Sequence, residues 1–246
     1  MGAPGPPVPR PGPWQSATVV DIRRETPSAT TYRLALPEPM AWRAGQHVVL
    51  RLTAPDGYRA TRSYSIASAP DPSGAPAPEL ELTVERFEGG EVSAFLHDVV
   101  APGDGIELRG PIGGWFVWPG DTPAVLVGGG SGVVPLASML RLARATGRTG
   151  LVRLAVSARS PEDLYYAAEL PGPSVTIAYT RTPPAGWPRP AGRLGPDDLA
   201  PALADLPGAT AYVCGSPAFA DAATGLLTGL GHPVDRIRVE RFGPTG

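Results

Sequence analysis

The sequence predicts two architectures in tandem: a small antiparallel β barrel over residues 14–118, then an α/β unit with a parallel sheet over residues 119–246. Three observations predict it. The first half carries about six short β-branched or alternating segments and one short helix candidate, the pattern of a small closed barrel. From Pro119 the rhythm changes to strand followed by helix, which builds a parallel sheet covered on both faces. A length of 246 residues suits two compact units, each with its own core.

Residues 1–13 alternate proline and glycine with almost nothing to bury, and are read as a disordered tail with order beginning at Trp14. Strands are expected at 17–24 (ATVVDIRR), 30–36 (TTYRLAL), 47–53 (HVVLRLT), 58–68, 79–85 (ELELTVE) and 105–109 (GIELR). Turn signals separate them, among them PDG at 55–57 and APGDG at 101–105. Ser93 is expected to cap a short helix through Phe95 and Leu96. In the second half, strand 124–128 leads through a glycine cluster into helix 133–145, with Leu136, Met139, Leu140 and Ala143 on one stripe. Strand 151–158 precedes 161–170, where a proline sits at a helix start, and strand 174–180 follows. Strand 210–214, helix 218–227 and strand 237–242 complete the series. Ligands of such a sheet belong at the carboxyl ends of its strands.

Composition excludes several classes. With 21 basic and 23 acidic residues and a formal charge of -2, there is no broad cationic field to gather nucleic acid or anionic lipid. A single cysteine rules out an intrachain disulfide and any cysteine-only iron-sulfur or zinc site, and three scattered histidines add little. The N-terminus has no apolar signal region and no window approaches eighteen apolar residues, so a cytoplasmic chain with no membrane span is expected.

The candidate chemistry lies in short motifs. Thr61 to Ser68 reads TRSYSIAS, and on a strand Arg62 and Tyr64 face one way while Ser63 and Ser65 face the other unless a bend intervenes. Seen alone, this is first a half-buried strand. Its functional reading needs a ligand that wants a cation, a flat aromatic surface and a small donor. A flavin nucleotide fits, with its pyrophosphate on Arg62, its ring face on Tyr64 and a ring nitrogen or oxygen on Ser65.

Gly89, Gly90 and Ser93 open the helix candidate, either as an ordinary turn or as a phosphate seat made of free N-H groups. Four glycines within residues 128–132 sit in the strand, turn and helix context of a pyrophosphate site. The GxG of Gly130 and Gly132 is followed by Pro135 where a classical fingerprint has its third glycine. Arg159 and Arg181 with Thr180 end two strands, and Arg193 follows a loop. They are open between 2'-phosphate forks and solvated loop residues. Cys214 and Gly215 end another strand, the thiol being open between core filler and site.

Taken together and in this order, these motifs resemble the ferredoxin-NADP reductase family of flavoproteins from about Trp14 to Phe242. The resemblance implies a flavin-binding barrel followed by an NAD(P)-binding domain. Its arginine-x-tyrosine-serine motif is matched by Arg62, Tyr64 and Ser65, with Ile66 beside them, and implies contacts to flavin phosphate and ring. Its glycine-glycine-x-x-serine motif is matched by Gly89, Gly90 and Ser93, with Val92 between, and implies flavin phosphate contacts. Gly129, Gly130 and Gly132, with Thr180 and Arg181, are implied to meet the nicotinamide nucleotide, and Cys214-Gly215 to lie beside its ring. Glu240-Arg241-Phe242 resembles the plant-type ending in which an aromatic covers the second flavin face, although Gly243 to Gly246 follow here.

The catalytic contact is thereby expected at Ser65, Cys214 and Glu240, with FAD rather than FMN as cofactor and NADPH or NADH as donor. Some members continue into an iron-sulfur domain carrying four cysteines. This sequence lacks them, so a separate electron acceptor, such as ferredoxin or an oxygenase component, is expected. Two other readings are a free-flavin or quinone reductase, and a non-catalytic electron-partitioning subunit of a larger complex. Oligomeric state is open.

Overall fold

The computed structural model describes residues 12–243, so residues 1–11 of the expected tail, and Pro244 to Gly246, lie outside the described residues. The first sheet holds β1 (Gln15–Arg24), β2 (Ala29–Met40), β3 (His47–Thr53), β4 (Arg59–Ser65), β5 (Ala77–Glu85) and β6 (Gly105–Ile112). Their order is β4-β3-β6-β1-β2-β5, paired antiparallel throughout. A bridge between Ile66, just beyond β4, and Leu82 of β5 joins the two ends of that order and closes the barrel. Alternation fills its interior: Val48 and Leu50 of β3, Ile106 and Leu108 of β6, and Leu80 and Leu82 of β5 share one buried cluster.

Helix α1 (Glu91–Asp98) buries Val92 and Leu96, which lie one turn apart on the same face. The expected cap at Ser93 is not formed. Gly89, at φ +74°, turns the chain early, so Gly90 becomes the N-cap and Ser93 falls within the first turn. There its hydroxyl accepts from the Phe87 amide at 3.2 Å and donates to the Gly90 carbonyl at 3.1 Å, tying the loop to the helix.

The second sheet holds β7 (Ala124–Gly129), β8 (Val152–Ala158), β9 (Val175–Tyr179), β10 (Thr210–Gly215) and β11 (Ile237–Arg241), all parallel, in the order β11-β10-β7-β8-β9. Helices α2 (Val133–Ala145), α3 (Pro196–Asp205) and α4 (Pro217–Gly229) connect them. Residues 124–127 of β7 are wholly buried, as a strand covered on both faces must be. The chain leaves β7 toward β8 on one side and later lays β10 on the other. That reversal puts the ligand crevice at the carboxyl ends of β7 and β10.

Two segments depart from expectation. Residues 161–170 do not form a helix; a 3₁₀ turn at Pro161–Asp163 is followed by Tyr166 at φ +55°, which a continuing helix cannot accommodate. Tertiary contacts hold it there. The Tyr166 hydroxyl donates to Thr83 of β5 at 2.6 Å, and the Arg141 guanidinium lies 4.7 Å from the ring centroid. Helix α3 was not anticipated, although Asp198 accepts from the Gly195 amide at 2.7 Å in a capping arrangement.

The two sheets are fastened by α2. Ser138 donates to the Ser68 carbonyl at 2.7 Å, and Arg141 donates to the Ala67 carbonyl at 2.9 Å. Arg141 also pairs with Glu81 of the barrel at 3.1 Å and with Glu169 at 2.7 Å. Ala29, Ala44 and Ala67 of the barrel share an apolar cluster with Leu136 and Met139 of α2. Among the described residues, no helix is long and apolar enough to cross a membrane.

Candidate active site

Strand β4 is an edge strand over residues 59–65, and a cleft of about 570 Å³ opens along it between the two sheets. Register determines what faces this cleft. His47 lies opposite Ser65, and Val49 lies between Ser63 on β4 and Arg109 on β6. Arg62 and Tyr64 occupy the other face of the strand, as alternation requires, yet they also border the cleft because the strand edge is free. Tyr64 is half-buried against the barrel core, and burial pushes its phenol above the ordinary range, so it remains a protonated donor. From the other sheet come Glu240 and Phe242. Burial raises the Glu240 carboxyl from 4.5 to about 7, so this acid can hold a proton near neutrality.

A second, smaller cavity of about 150 Å³ continues past Arg62 and Tyr64 to Gly89, Gly90, Val92 and Ser93. Helix α1 begins here without a side-chain cap. Its first helical bond runs from Ala94 to the Gly90 carbonyl, so the amides of Glu91, Val92 and Ser93 have no acceptor within the helix. The Arg62 guanidinium stands beside them, held by a 2.8 Å bond to the Thr61 carbonyl.

A third cleft, of about 320 Å³, lies at the switch point of the parallel sheet. Gly129, Gly130 and Ser131 form one wall, and Ser157, Arg159 and Thr180 stand at the ends of neighbouring strands. Gly132 sits behind the turn, where a Cβ would collide with the Cys214 carbonyl. Close approach of backbone to backbone therefore requires glycine there. Ser131 and Phe242 border both this cleft and the one along β4. The Phe242 amide donates to the Gly215 carbonyl at 2.8 Å, which fixes the ring's root at the junction.

The structure thus gathers Arg62, Tyr64, Ser65, Glu240 and Phe242 in one cleft, Gly89, Gly90, Val92 and Ser93 in the second, and Gly129, Gly130 and Thr180 in the third. Other expected residues stand back. Ile66 is fully buried in the barrel core, where the chain crosses from β4 to its bridge with Leu82. Cys214 is fully buried on a strand between β7 and β11, next to Glu240 in register. Burial, and after it the charge of Glu240, pushes its thiol well up. Gly215 lies beneath the Phe219 ring, and Arg181 is exposed beside the third cleft rather than in its wall. Sequence reasoning missed His47, Arg109, Glu85 and Tyr165, all of which line the clefts. Strand register and the docking of the two sheets bring them in, and neither has a local signature.

The residues present fit a flavin dinucleotide. Arg109 Nε is buried in the wall of the cleft along β4 without a hydrogen-bond partner, so a cation there has a donor to offer. The uncapped α1 terminus with Arg62 is chemically matched to a diphosphate. The half-buried Tyr64 lines both of these cavities.

Comparison with known proteins agrees with this reading. Residues 16–117 match the family model described as oxidoreductase FAD-binding domain, and residues 126–225 the oxidoreductase NAD-binding domain. The chain is 31% identical over 242 residues to the reductase component of propane 2-monooxygenase from Rhodococcus jostii, covering 91% of this chain and 62% of that one. It therefore spans less than two thirds of that relative's length. A ferredoxin-NADP reductase B of Sorangium cellulosum is 37% identical over 213 residues, with 81% of this chain and 84% of the relative covered. Among solved structures, a cytochrome P450 reductase of Amycolatopsis superposes with a TM-score of 0.75 at 30% identity, over 94% of this chain and 70% of that one.

Proposed function

The chain belongs to the ferredoxin-NAD(P) reductase family of flavoprotein oxidoreductases, and from that premise we propose that it passes a hydride from NADPH or NADH to bound FAD and delivers the electrons to a separate acceptor protein. The observation that carries this reading is the joining of three clefts into one trough. Arg62 and Tyr64 border both the cleft along β4 and the cavity at the uncapped helix, while Ser131 and Phe242 border both the cleft along β4 and the cleft at the glycine turn. Flavin and nucleotide sites thereby meet at one wall.

FAD, when bound, supplies a two-electron acceptor that can release electrons singly. The chain's own residues bind and align. We assign flavin binding to residues 14–118 and nucleotide binding to residues 119–246. Arg62 and the first-turn amides of α1 neutralise the diphosphate, Tyr64 offers its ring as a platform, and Ser65 offers a small donor. Glu240 holds a proton beside the meeting point near pH 7. Phe242 covers the junction and excludes water until the nucleotide arrives. Cys214 backs the site from the core, and Thr180 and Arg181 receive the adenosine end of the nucleotide. A cytoplasmic location suits the lone, buried, unpaired Cys214. The relatives' names describe components of oxygenase systems, and an acceptor of that class, a ferredoxin or an oxygenase component, is our proposal for this chain.

Anaerobic stopped-flow mixing with NADPH or NADH tests the reading. Purified protein should retain FAD and lose its visible flavin absorbance within the mixing trace. Colourless protein that binds no added flavin would sink the proposal, and flavin that exchanges freely during turnover would recast the chain as a flavin reductase.

A further inference from the structure

We propose that Tyr165 is a nucleotide-binding residue whose hydroxyl donates a hydrogen bond to a pyrophosphate oxygen of the incoming nicotinamide dinucleotide. This rests on the reading of the 320 Å³ cleft as the nucleotide site. Tyr165 forms part of that cleft's wall and is 4% exposed, yet its hydroxyl has no hydrogen-bond partner. Such a group is costly, because burial takes away its bond to water and nothing replaces it. Native structures keep few of them, and those they keep call for a reason.

The backbone around it shows how the position is held. Tyr166, the next residue, adopts φ +55°, a conformation unfavourable for a bulky side chain. It is pinned there from the barrel side by its bond to Thr83 and from α2 by the Arg141 guanidinium. The Tyr165 and Tyr166 rings meet edge to face, with centroids 6.2 Å apart. Two neighbouring side chains thus divide the work. Tyr166 satisfies its hydroxyl across the domain junction, and Tyr165, fixed by the same strained turn, carries an unspent donor into the cleft wall.

The ligand oxygen is identified by what else lines the cleft. The wall formed by Gly129, Gly130 and Ser131 is the helix-leading turn that suits phosphate, so a donor in the same cleft meets the pyrophosphate. Burial, and after it the carboxylate of Glu85, which stands near the hydroxyl without closing a hydrogen bond to it, keeps the phenol protonated. The hydroxyl is out of water's reach in the free protein. A nucleotide must therefore displace a side chain of the cleft wall, which Phe242 and Glu85 also line, to meet it.

The test is equilibrium titration of flavin-loaded wild type and Tyr165→Phe with NADP+, NAD+ and ADP-ribose, read from the flavin absorbance difference spectrum or from calorimetry, alongside thermal melts. The variant should bind all three ligands about 10- to 150-fold more weakly, the range for one lost hydrogen bond to a charged oxygen. It should keep its flavin and melt at the same temperature or higher, because an unpaired hydroxyl has been removed. Affinity unchanged within twofold for ligands that wild type binds overturns the inference. So does a lowered melting temperature with unchanged affinity, which would make Glu85 the hydroxyl's partner. A loss confined to the nicotinamide-bearing ligands overturns the pyrophosphate assignment. Wild type that binds no dinucleotide removes the nucleotide reading of the cleft itself, and this inference with it.

Discussion

Helices α1 and α2 both begin at the clefts, and their beginnings are built differently. Helix α1 starts at a glycine without a side-chain cap and presents three consecutive amides with no acceptor inside the helix, with Arg62 alongside. Helix α2 starts from a 3₁₀ turn, Gly130–Gly132, in which the Val133 amide is already bonded to turn carbonyls. Two residues further on, Pro135 has no amide hydrogen to offer. The first seat is rich in donors and charge; the second is shaped mainly by backbone, with its cation, Arg159, at the end of another strand. On the proposed function, the ligand that stays is held by charge and hydrogen bonds. The ligand that comes and goes is held by fit.

The largest expected effect sharpens that contrast on the charged side. Arg62→Ala should weaken FAD binding to the flavin-free protein by about 10- to 100-fold, as loss of a charge-assisted bond implies, when measured by quenching of flavin fluorescence. Because Arg62 is exposed, the melting of flavin-free protein should barely change. Unaltered FAD affinity would break the comparison at its stronger limb.

Next comes the seat made by fit. Gly132→Ala sets a methyl against the Cys214 carbonyl, which cannot swing aside as a side chain would. A loss of about 1–3 kcal/mol in denaturant unfolding is expected. An alanine accommodated without loss would show that the turn is looser than its packing implies.

The smallest effect concerns the acid between the two seats. Glu240 is raised from 4.5 to about 7 by burial, so its folded form prefers the proton. Below pH 4.5 both folded and unfolded states are protonated and no penalty exists. As pH rises toward 7 the unfolded chain gains by ionising, and stability falls until the folded carboxyl ionises too. Glu240→Gln should therefore melt like wild type near pH 4.5 and be more stable at pH 8. Equal melting temperatures at both pH values would place Glu240 in water rather than in the cleft wall.

Local patterning accounts for much of the architecture. β3 and α2 have the bounds their periodicity predicts, because an alternating run and an apolar stripe each need only their own residues to be recognised. Residues 161–170 read as a helix and are not one, because Thr83 and Arg141, remote in sequence, hold Tyr166 in a left-handed conformation. Helix α3 went unread although its signals were present: Pro196 in the first turn, and acids at Asp197 and Asp198. In the clefts, Arg62, Tyr64 and the glycines were legible because their types and spacing are unusual. His47 and Arg109 were not, since each enters only through pairing with a strand far along the chain.

The bonds from α2 to the barrel have a consequence for how this protein can change over time. Ser138 and Arg141 grip carbonyl oxygens, at Ser68 and Ala67, immediately after the strand that carries Ser65. A carbonyl is present whatever side chain stands there. The spacing between the two halves is consequently anchored to atoms that substitution at those two barrel positions cannot delete, whereas the helix residues that do the gripping have no such freedom. Substitution at 67 or 68 leaves these two bonds in place, with packing alone limiting the size of the buried Ala67, whereas substitution at 138 or 141 removes them outright.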